Sequence, residues 1–291
     1  MDERPSTSVV IATRNRCDEL LRTLGELARF SPRPPTIVVD NGSSDDTRRA
    51  VSRYHPEVRL LCLPRNIGAA ARNIGVSSAS TPYVAFCDDD SWWEDGAFRR
   101  AEDIFTAHRN IALIAGRTLV GREQRLDPVN ALMARSPLVR RSGMPGPRIL
   151  GFAACAAIVR RDAFLSVGGF NPALFFGAEE KLLACDLAAA GWDLVYAEDV
   201  VAHHHPSSAR LPSDARRALE LRNNVLIAWL RYAPRAALAA TSELVKRSIA
   251  DGPSRQAALG VLRRLPAVLP QRKRIPASLQ REFDMLDQPS R

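Results

Sequence analysis

The sequence predicts an α/β fold, a mixed and mostly parallel sheet flanked by helices, with a C-terminal helical extension. Three observations predict it. Short β-branched runs alternate with amphipathic segments of helical period through the first half of the chain. Carboxylates and turn-formers gather where those runs end, at Asp40 and Asp88, and in open α/β sheets ligands bind outside the carboxyl ends of strands. The charge is also split along the chain. Residues 1–208 hold 25 Lys+Arg and 25 Asp+Glu, residues 209–291 hold 16 and 7, and the net charge of +9 therefore lies wholly in the tail. That split divides the chain into residues 1–208, the α/β domain, and residues 209–291, a basic helical extension.

Each element has its own signal. Residues 8–12 form a buried apolar strand, and 17–30 a helix with Leu20, Leu21, Leu24 and Leu27 on one face. Residues 36–40 are a second strand, closed by the turn cluster Asn41-Gly42-Ser43-Ser44-Asp45-Asp46 and followed by a helix over 47–54. A third strand at 58–63 leads to a helix over 68–78, and a fourth strand, 83–87, stops at three aspartates. A helix at 97–108 and a strand at 111–120 follow. Residues 127–147, rich in Pro, Gly and Arg, read as a mobile loop or a poorly packed excursion. Residues 150–160 are a small-residue strand, 179–190 a helix, 193–197 a strand, and the run His203-His204-His205-Pro206-Ser207-Ser208 closes the domain. From Ser213 onward the tail is helical.

A chain of 291 residues can bury a substantial core. Its five cysteines are widely spaced with no C-x-x-C pair, which predicts neither a disulfide framework nor a zinc site, and Cys87 and Cys155 read as small buried residues. The acidic start is no signal peptide, and no stretch reaches the roughly 18 apolar residues of a membrane span. These features predict a cytoplasmic protein. The tail carries leucines and arginines at helical spacing, which suits either a membrane surface at its inner face or a helical subdomain with a solvated basic side. It lacks the aromatic-interleaved basic platform of a nucleic-acid binder.

Three adjacent carboxylates, Asp88, Asp89 and Asp90, repel one another, and a divalent cation would neutralise them; hard oxygen ligands suit Mg²⁺ or Mn²⁺. A solvated acidic turn is the alternative. Asp40, at the end of its strand, can accept from a nucleobase or a ribose, or cap the next helix. Asn66, Gly68 and Arg72 lie in a loop feeding a helix N-terminus, a place for a diphosphate or a simple helix cap. Glu179 and Glu180 open a helix, as general base or as partners of its dipole. The histidine run offers metal ligands or a polar strand end, and Trp92 and Trp93 stack on a ligand or cap the core.

Taken in order, TRNR at 13–16, VVDNGSSDDT at 38–47, NIGAAARNIG at 66–75, YVAFCDDDSWW at 83–93, GGFNP and GAEE, and the histidine run resemble the family 2 glycosyltransferases of the GT-A fold. The resemblance spans residues 7–208. It implies an inverting, metal-dependent hexosyl- or deoxyhexosyltransferase that moves a sugar from a nucleotide-diphosphate sugar to a hydroxyl of a glycan, lipid-linked or small-molecule acceptor in cell-envelope or polysaccharide synthesis. By the same resemblance Thr13, Arg14, Asn15 and Asp40 line the nucleoside pocket. Asn66, Gly68 and Arg72 follow the nucleotide and its phosphates. Asp88 binds ribose or metal, Asp89 faces the nucleoside or solvent, Asp90 holds the metal with His203 or His204, and Glu180, beside Glu179, is the base. Two departures stand out. The base position carries Glu where the family has Asp, and Asp186 stands where an arginine usually neutralises the acidic pair. Competing readings are a non-catalytic nucleotide-sugar or docking module, and a sugar nucleotidyltransferase. The latter needs an N-terminal Gly-rich loop with a lysine, whereas the first lysine here is Lys181.

Overall fold

The computed structural model describes residues 5–207 and 211–286. The boundary drawn at 208/209, the acidic first residues 1–4 and Ser208 lie outside them. In chain order the elements are β1 (Thr7–Thr13), α1 (Cys17–Leu27), β2 (Thr36–Asp40), α2 (Thr47–Tyr54), β3 (Arg59–Cys62), α3 (Ala71–Ser78) and β4 (Tyr83–Cys87). Next come β5 (Ser91–Trp93), α4 (Ala97–Ala107), β6 (Ile111–Val120), β7 (Arg125–Leu126) and α5 (Pro128–Ala134). Then follow β8 (Ala157–Arg160), α6 (Arg161–Ser166), α7 (Glu179–Ala189) and β9 (Asp193–His204). The C-terminal helices are α8 (Ser213–Arg231), α9 (Pro234–Ala250), α10 (Gly252–Val268) and α11 (Ala277–Leu286).

The strands form one sheet in the order β3-β2-β1-β4-β8-β6-β9-β5, with β7 paired to β6. The pairs β3–β2, β2–β1, β1–β4 and β6–β9 are parallel, and β8 and β5 are antiparallel to their neighbours. In the central strands β1, β2 and β4 side chains alternate between two buried faces, so these strands are mostly apolar. Val9 and Ile11 pack with Leu20, Leu24 and Phe105 on one face, and Val10 and Phe86 pack with Val76, Phe164 and Leu183 on the other.

A third cluster joins Leu174, Leu182 and Cys185 to residues of α8 through α11, including Leu226, Leu230, Val261 and Phe283. The basic helices are therefore seated on α7. Among the described residues, no helix is long and apolar enough to cross a membrane.

Several elements differ from expectation. The segment at 127–147 opens with α5, because Asp127 caps it by accepting from the Val129 amide at 2.9 Å and Pro128 follows at the first helical position. Asn130 then ties it to the Thr118 backbone at 2.8 and 2.9 Å. The expected strand over 150–160 is shorter, with a 3₁₀ turn at Ala154–Ala156 before β8. The strand expected at 193–197 runs on to His204, and Ser91–Trp93 forms a strand against its end.

Candidate active site

The site lies at the carboxyl ends of β1, β2, β4 and β9. Asp88 directly follows β4, and its amide donates to Ser91 Oγ at 2.8 Å, which turns the chain so that successive aspartates diverge. Asp89 points inward. Its carboxylate accepts from Thr13 Oγ1 at 3.0 Å and Arg16 Nη1 at 3.2 Å. Burial pushes it up to about 7, against the pull of Arg16. Asp90 is buried too. It meets Arg16 Nη1 at 3.3 Å, His204 Nε2 at 3.3 Å and the Ser207 amide at 2.9 Å. Burial opposes ionisation of Asp90, but His204 and Ser207 outweigh it and hold the carboxyl below its ordinary range.

Ligand atoms of Asp88, Asp90 and His204 lie within 4.8 Å of one another. Two carboxylates and an imidazole converging from two strand ends fit a divalent cation such as Mg²⁺ or Mn²⁺. Asp88 also leaves a side exposed, with 34% of its side chain accessible. His203 does not join this cluster. Strand alternation turns it to the other face, where it stacks on Trp92 at 5.7 Å between ring centroids and lies 3.9 Å from Glu94. Trp92 also meets His205 edge-on, whereas Trp93 is core and donates to the Phe86 carbonyl at 3.2 Å.

Beside the cluster stands a second acidic group. Arg72, on α3, is buried, pairs with the Asp88 carboxylate and lies over the Phe170 ring at 5.9 Å. Burial disfavours its charge, but Asp88, Glu179 and Glu180 outweigh burial and raise its pKa. Arg72 thus sits among the acids and neutralises them from below. Glu179 is buried and also raised, by burial first, with Arg72 and a Gly177 backbone hydrogen bond opposing. Its Oε2 has no partner. Glu180, part-exposed at the mouth, is pushed up to about 8 by burial and the neighbouring Glu179 charge. Asp186, the departure noted in the sequence, faces away. It takes two hydrogen bonds from Arg231 of α8, one of them 2.8 Å long.

The residues expected on the nucleoside side form a frame. Asp40 is fully buried and accepts from Arg48 Nε and, at 3.1 Å, from the Ser43 amide. Asn15 adopts a left-handed φ of 53° and accepts from the Ser44 amide at 2.7 Å, which joins the β1 and β2 loops. Thr13 is buried, so its hydroxyl serves Asp89, and Arg14 lies exposed at the rim. Asn41 holds the next loop by accepting from Ile67 N at 2.8 Å and donating to Gly68 O at 3.0 Å. Asn66 caps Gly68 N at 2.9 Å. Gly68 has a φ of +68°, and a Cβ there would come within 2.0 Å of the Phe175 carbonyl.

Sequence reasoning assigned no role to Arg16 or Ser207, although TRNR and the segment after the histidines contain them. A cation needed to face an acidic triplet is the signal that would have found Arg16. Ser207 acts through its backbone amide, which leaves no trace in residue type.

A family model described as Glycosyl transferase family 2 matches residues 8–168. The chain is 32% identical to the pre-mycofactocin glycosyltransferase of Mycobacterium tuberculosis, over 70% of its own length and 43% of that protein. It is 27% identical to the N-acetylglucosaminyl-diphospho-decaprenol L-rhamnosyltransferase of the same species, covering 82% of this chain and 92% of the other. The chain thus spans less than half of the first of these relatives. Among solved structures, the mannosyltransferase of Pyrobaculum calidifontis in complex with GDP-Man and Mn²⁺ superposes with a TM-score of 0.58 at 20% identity, covering 99% of this chain and 77% of that one. Likeness at that level establishes the GT-A fold.

Proposed function

The chain belongs to glycosyl transferase family 2, and from that premise we propose that it moves a sugar from a nucleotide-diphosphate sugar to an acceptor hydroxyl with inversion. The observation that carries the proposal is the meeting of Asp88, Asp90 and His204 beside the acidic pair Glu179–Glu180, with Arg72 between them. A divalent cation held by Asp88, Asp90 and His204 would act as a Lewis acid toward the leaving diphosphate.

The chain's own residues do the rest. Glu180 takes the acceptor proton as the hydroxyl attacks the anomeric carbon from the face opposite the nucleotide, and a raised pKa suits a base that works near neutral pH. Arg72 limits the repulsion between Asp88 and the glutamates, so that all three can coexist within one pocket. Asp40 and Asn15 keep the β1 and β2 loops in register for the nucleoside, and the Asn66–Gly68 turn exposes backbone for the diphosphate. Glu in place of Asp at the base position extends the carboxylate by one methylene toward the acceptor.

For the acceptor, the rhamnosyltransferase relative is named for a lipid-linked diphosphate sugar, which supports a hydroxyl of a lipid-linked glycoside. The exposed Leu238, Val245, Ile249, Leu259 and Leu262 among the arginines of α9 and α10 support peripheral contact with an anionic membrane surface. Calorimetry with UDP, dTDP and GDP, with and without Mn²⁺, tests the function. One of the three binds in a Mn²⁺-dependent way to the wild type and loses that dependence in Asp90→Ala. Metal-independent binding of all three, or none, would overturn the reading.

A further inference from the structure

We infer that the C-terminal helices act in the reaction through one loop: Asn223 of α8, with Arg222 and with Arg264 of α10, is a positioning residue that sets the Glu179–Glu180 carboxylates. This rests on the reading of Glu180 as the base.

The loop at 173–178 is where the geometry concentrates. Phe175, Gly177 and Ala178 all have positive φ, at 65°, 88° and 59°. Two of these are side-chain-bearing residues in a region that costs about 1–3 kcal/mol each and persists only where the surroundings enforce it. Such a backbone turns its carbonyls outward from any regular ladder, and each needs a donor. The C-terminal helices supply them. Asn223 is fully buried and its Nδ2 donates to Leu174 O and Phe176 O, both at 3.0 Å, and to Gly177 O. Arg222, itself buried, donates from Nη2 to Leu174 O at 2.7 Å, and Arg264 from Nη1 to Ala173 O at 2.5 Å.

The two guanidiniums repel each other, and burial together with that repulsion brings Arg222 down to about 10. A chain that needed only packing there would do as well with apolar side chains, since a buried cation is costly without compensation. Backbone carbonyls are what these donors serve.

The far side of the loop reaches the reacting groups. The Gly177 carbonyl is held by Asn223, and two residues later Glu179 opens α7, its carboxyl drawn down by the Gly177 backbone. The Phe175 carbonyl accepts from Ala69 N at 2.7 Å, in the loop proposed to lie along the diphosphate. One six-residue turn therefore links the helical extension to the base and to the donor loop. Because α7 begins at Glu179, any shift of Gly177 and Ala178 displaces both glutamates from Arg72.

The test uses the full chain and needs no substrate. Carbon-13 NMR of glutamate carboxyls follows Glu180, its signal identified by its loss in Glu180→Gln, in metal-free buffer. The groups facing Glu180 are Glu179 on its own helix, Arg72 from α3 and Asp88 just after β4, and none of the three is substituted in the variants. In Asn223→Ala the loosened loop admits water to Glu180 and relieves the burial that is the first cause of its raised midpoint. The midpoint is therefore expected to fall by at least one pH unit from the wild-type value, although part of Arg72's opposing pull is lost. Amide exchange over 174–180 should rise tenfold or more while β1 and β4 stay protected. If Asn223→Ala does not fold, Arg264→Gln, at a part-exposed position, removes one donor from the same loop and should move the midpoint in the same direction. An unchanged midpoint in a folded variant overturns the positioning role alone. A wild-type Glu180 that titrates in the ordinary carboxylate range overturns the base reading, and the positioning role with it.

Discussion

Glu180 gives a stability prediction that can be checked before any donor is known. Its carboxyl is raised from 4.5 to about 8 in the folded protein, chiefly by burial and then by Glu179. A carboxyl with a raised folded-state pKa binds its proton more tightly folded than unfolded. Between those two pH values the native state therefore holds more protons, and stability falls as pH rises, with the full deficit present above pH 8. At 1.36 kcal/mol per pH unit the ceiling is about 5 kcal/mol. Glu180 is part-exposed and titrates together with Glu179, so solvent screening and sharing reduce that to about 2–3 kcal/mol. Glu180→Gln keeps the shape of the neutral acid and removes the ionisation. By scanning fluorimetry without metal, the variant should match the wild type near pH 4 and exceed its Tm by about 4–8 °C at pH 9, given the Tm sensitivity of chains this long. Parallel wild-type and variant curves across that range would refute the reasoning, because they would mean that Glu180 ionises in the fold at no cost.

Other perturbations address the remaining parts. Asp186→Ala leaves the buried Arg231 guanidinium without its carboxylate and should cost about 3 kcal/mol, seen as a lower urea midpoint; the double change Asp186→Leu with Arg231→Leu should recover most of it. Gly68→Ala would drive a Cβ to 2.0 Å from the Phe175 carbonyl and displace the Ala69–Phe175 hydrogen bond. A loss of about 2–4 kcal/mol by denaturant titration follows from the strain and the lost bond. Asp90→Asn should abolish the rise in Tm that Mn²⁺ produces in the wild type, measured against an EDTA control.

Much of the parallel half of the fold was legible, because two-sided burial writes itself into sequence as continuous apolar runs. The expected strands 36–40, 83–87 and 111–120 coincide with β2, β4 and β6. Antiparallel pieces were less legible. Ser91–Trp93 is three residues long, and only its pairing with the end of β9 makes it a strand. β9 itself outruns its apolar signal, since His203 and His204 are paired to β6 and β5 and partly shielded there. Asp88 and Asp90 could be read from the triplet, but the choice of His204 over His203 depends on which way the strand pleat turns, a register that composition does not encode. Thr13 was expected in the nucleoside pocket and Asp89 facing the nucleoside or solvent, but Asp89 turns inward onto Thr13. Their mutual hydrogen bond beneath the site is a tertiary fact.

The departure at Asp186 is explained by the same contacts that bind the helical extension. Where an arginine on α7 would neutralise Glu179 and Glu180, this chain has a carboxylate that must be turned elsewhere, and Arg231 of α8 receives it. The charge partner of the glutamates then has to come from another element, and Arg72 of α3 fills that place. The exchange makes α7 depend on both sides at once, on α3 for its charge balance and on α8 for its seat. An isolated segment ending before α8 would leave Asp186 without Arg231, the carbonyls at 173–177 without Asn223, Arg222 and Arg264, and Leu174, Leu182 and Cys185 open to water. The positive charge concentrated in the tail is thus only partly a surface property. Arg222, Arg231 and Arg264 are held by backbone carbonyls and by the Asp186 carboxylate on the far side of α7, and the remainder is what an anionic surface could meet.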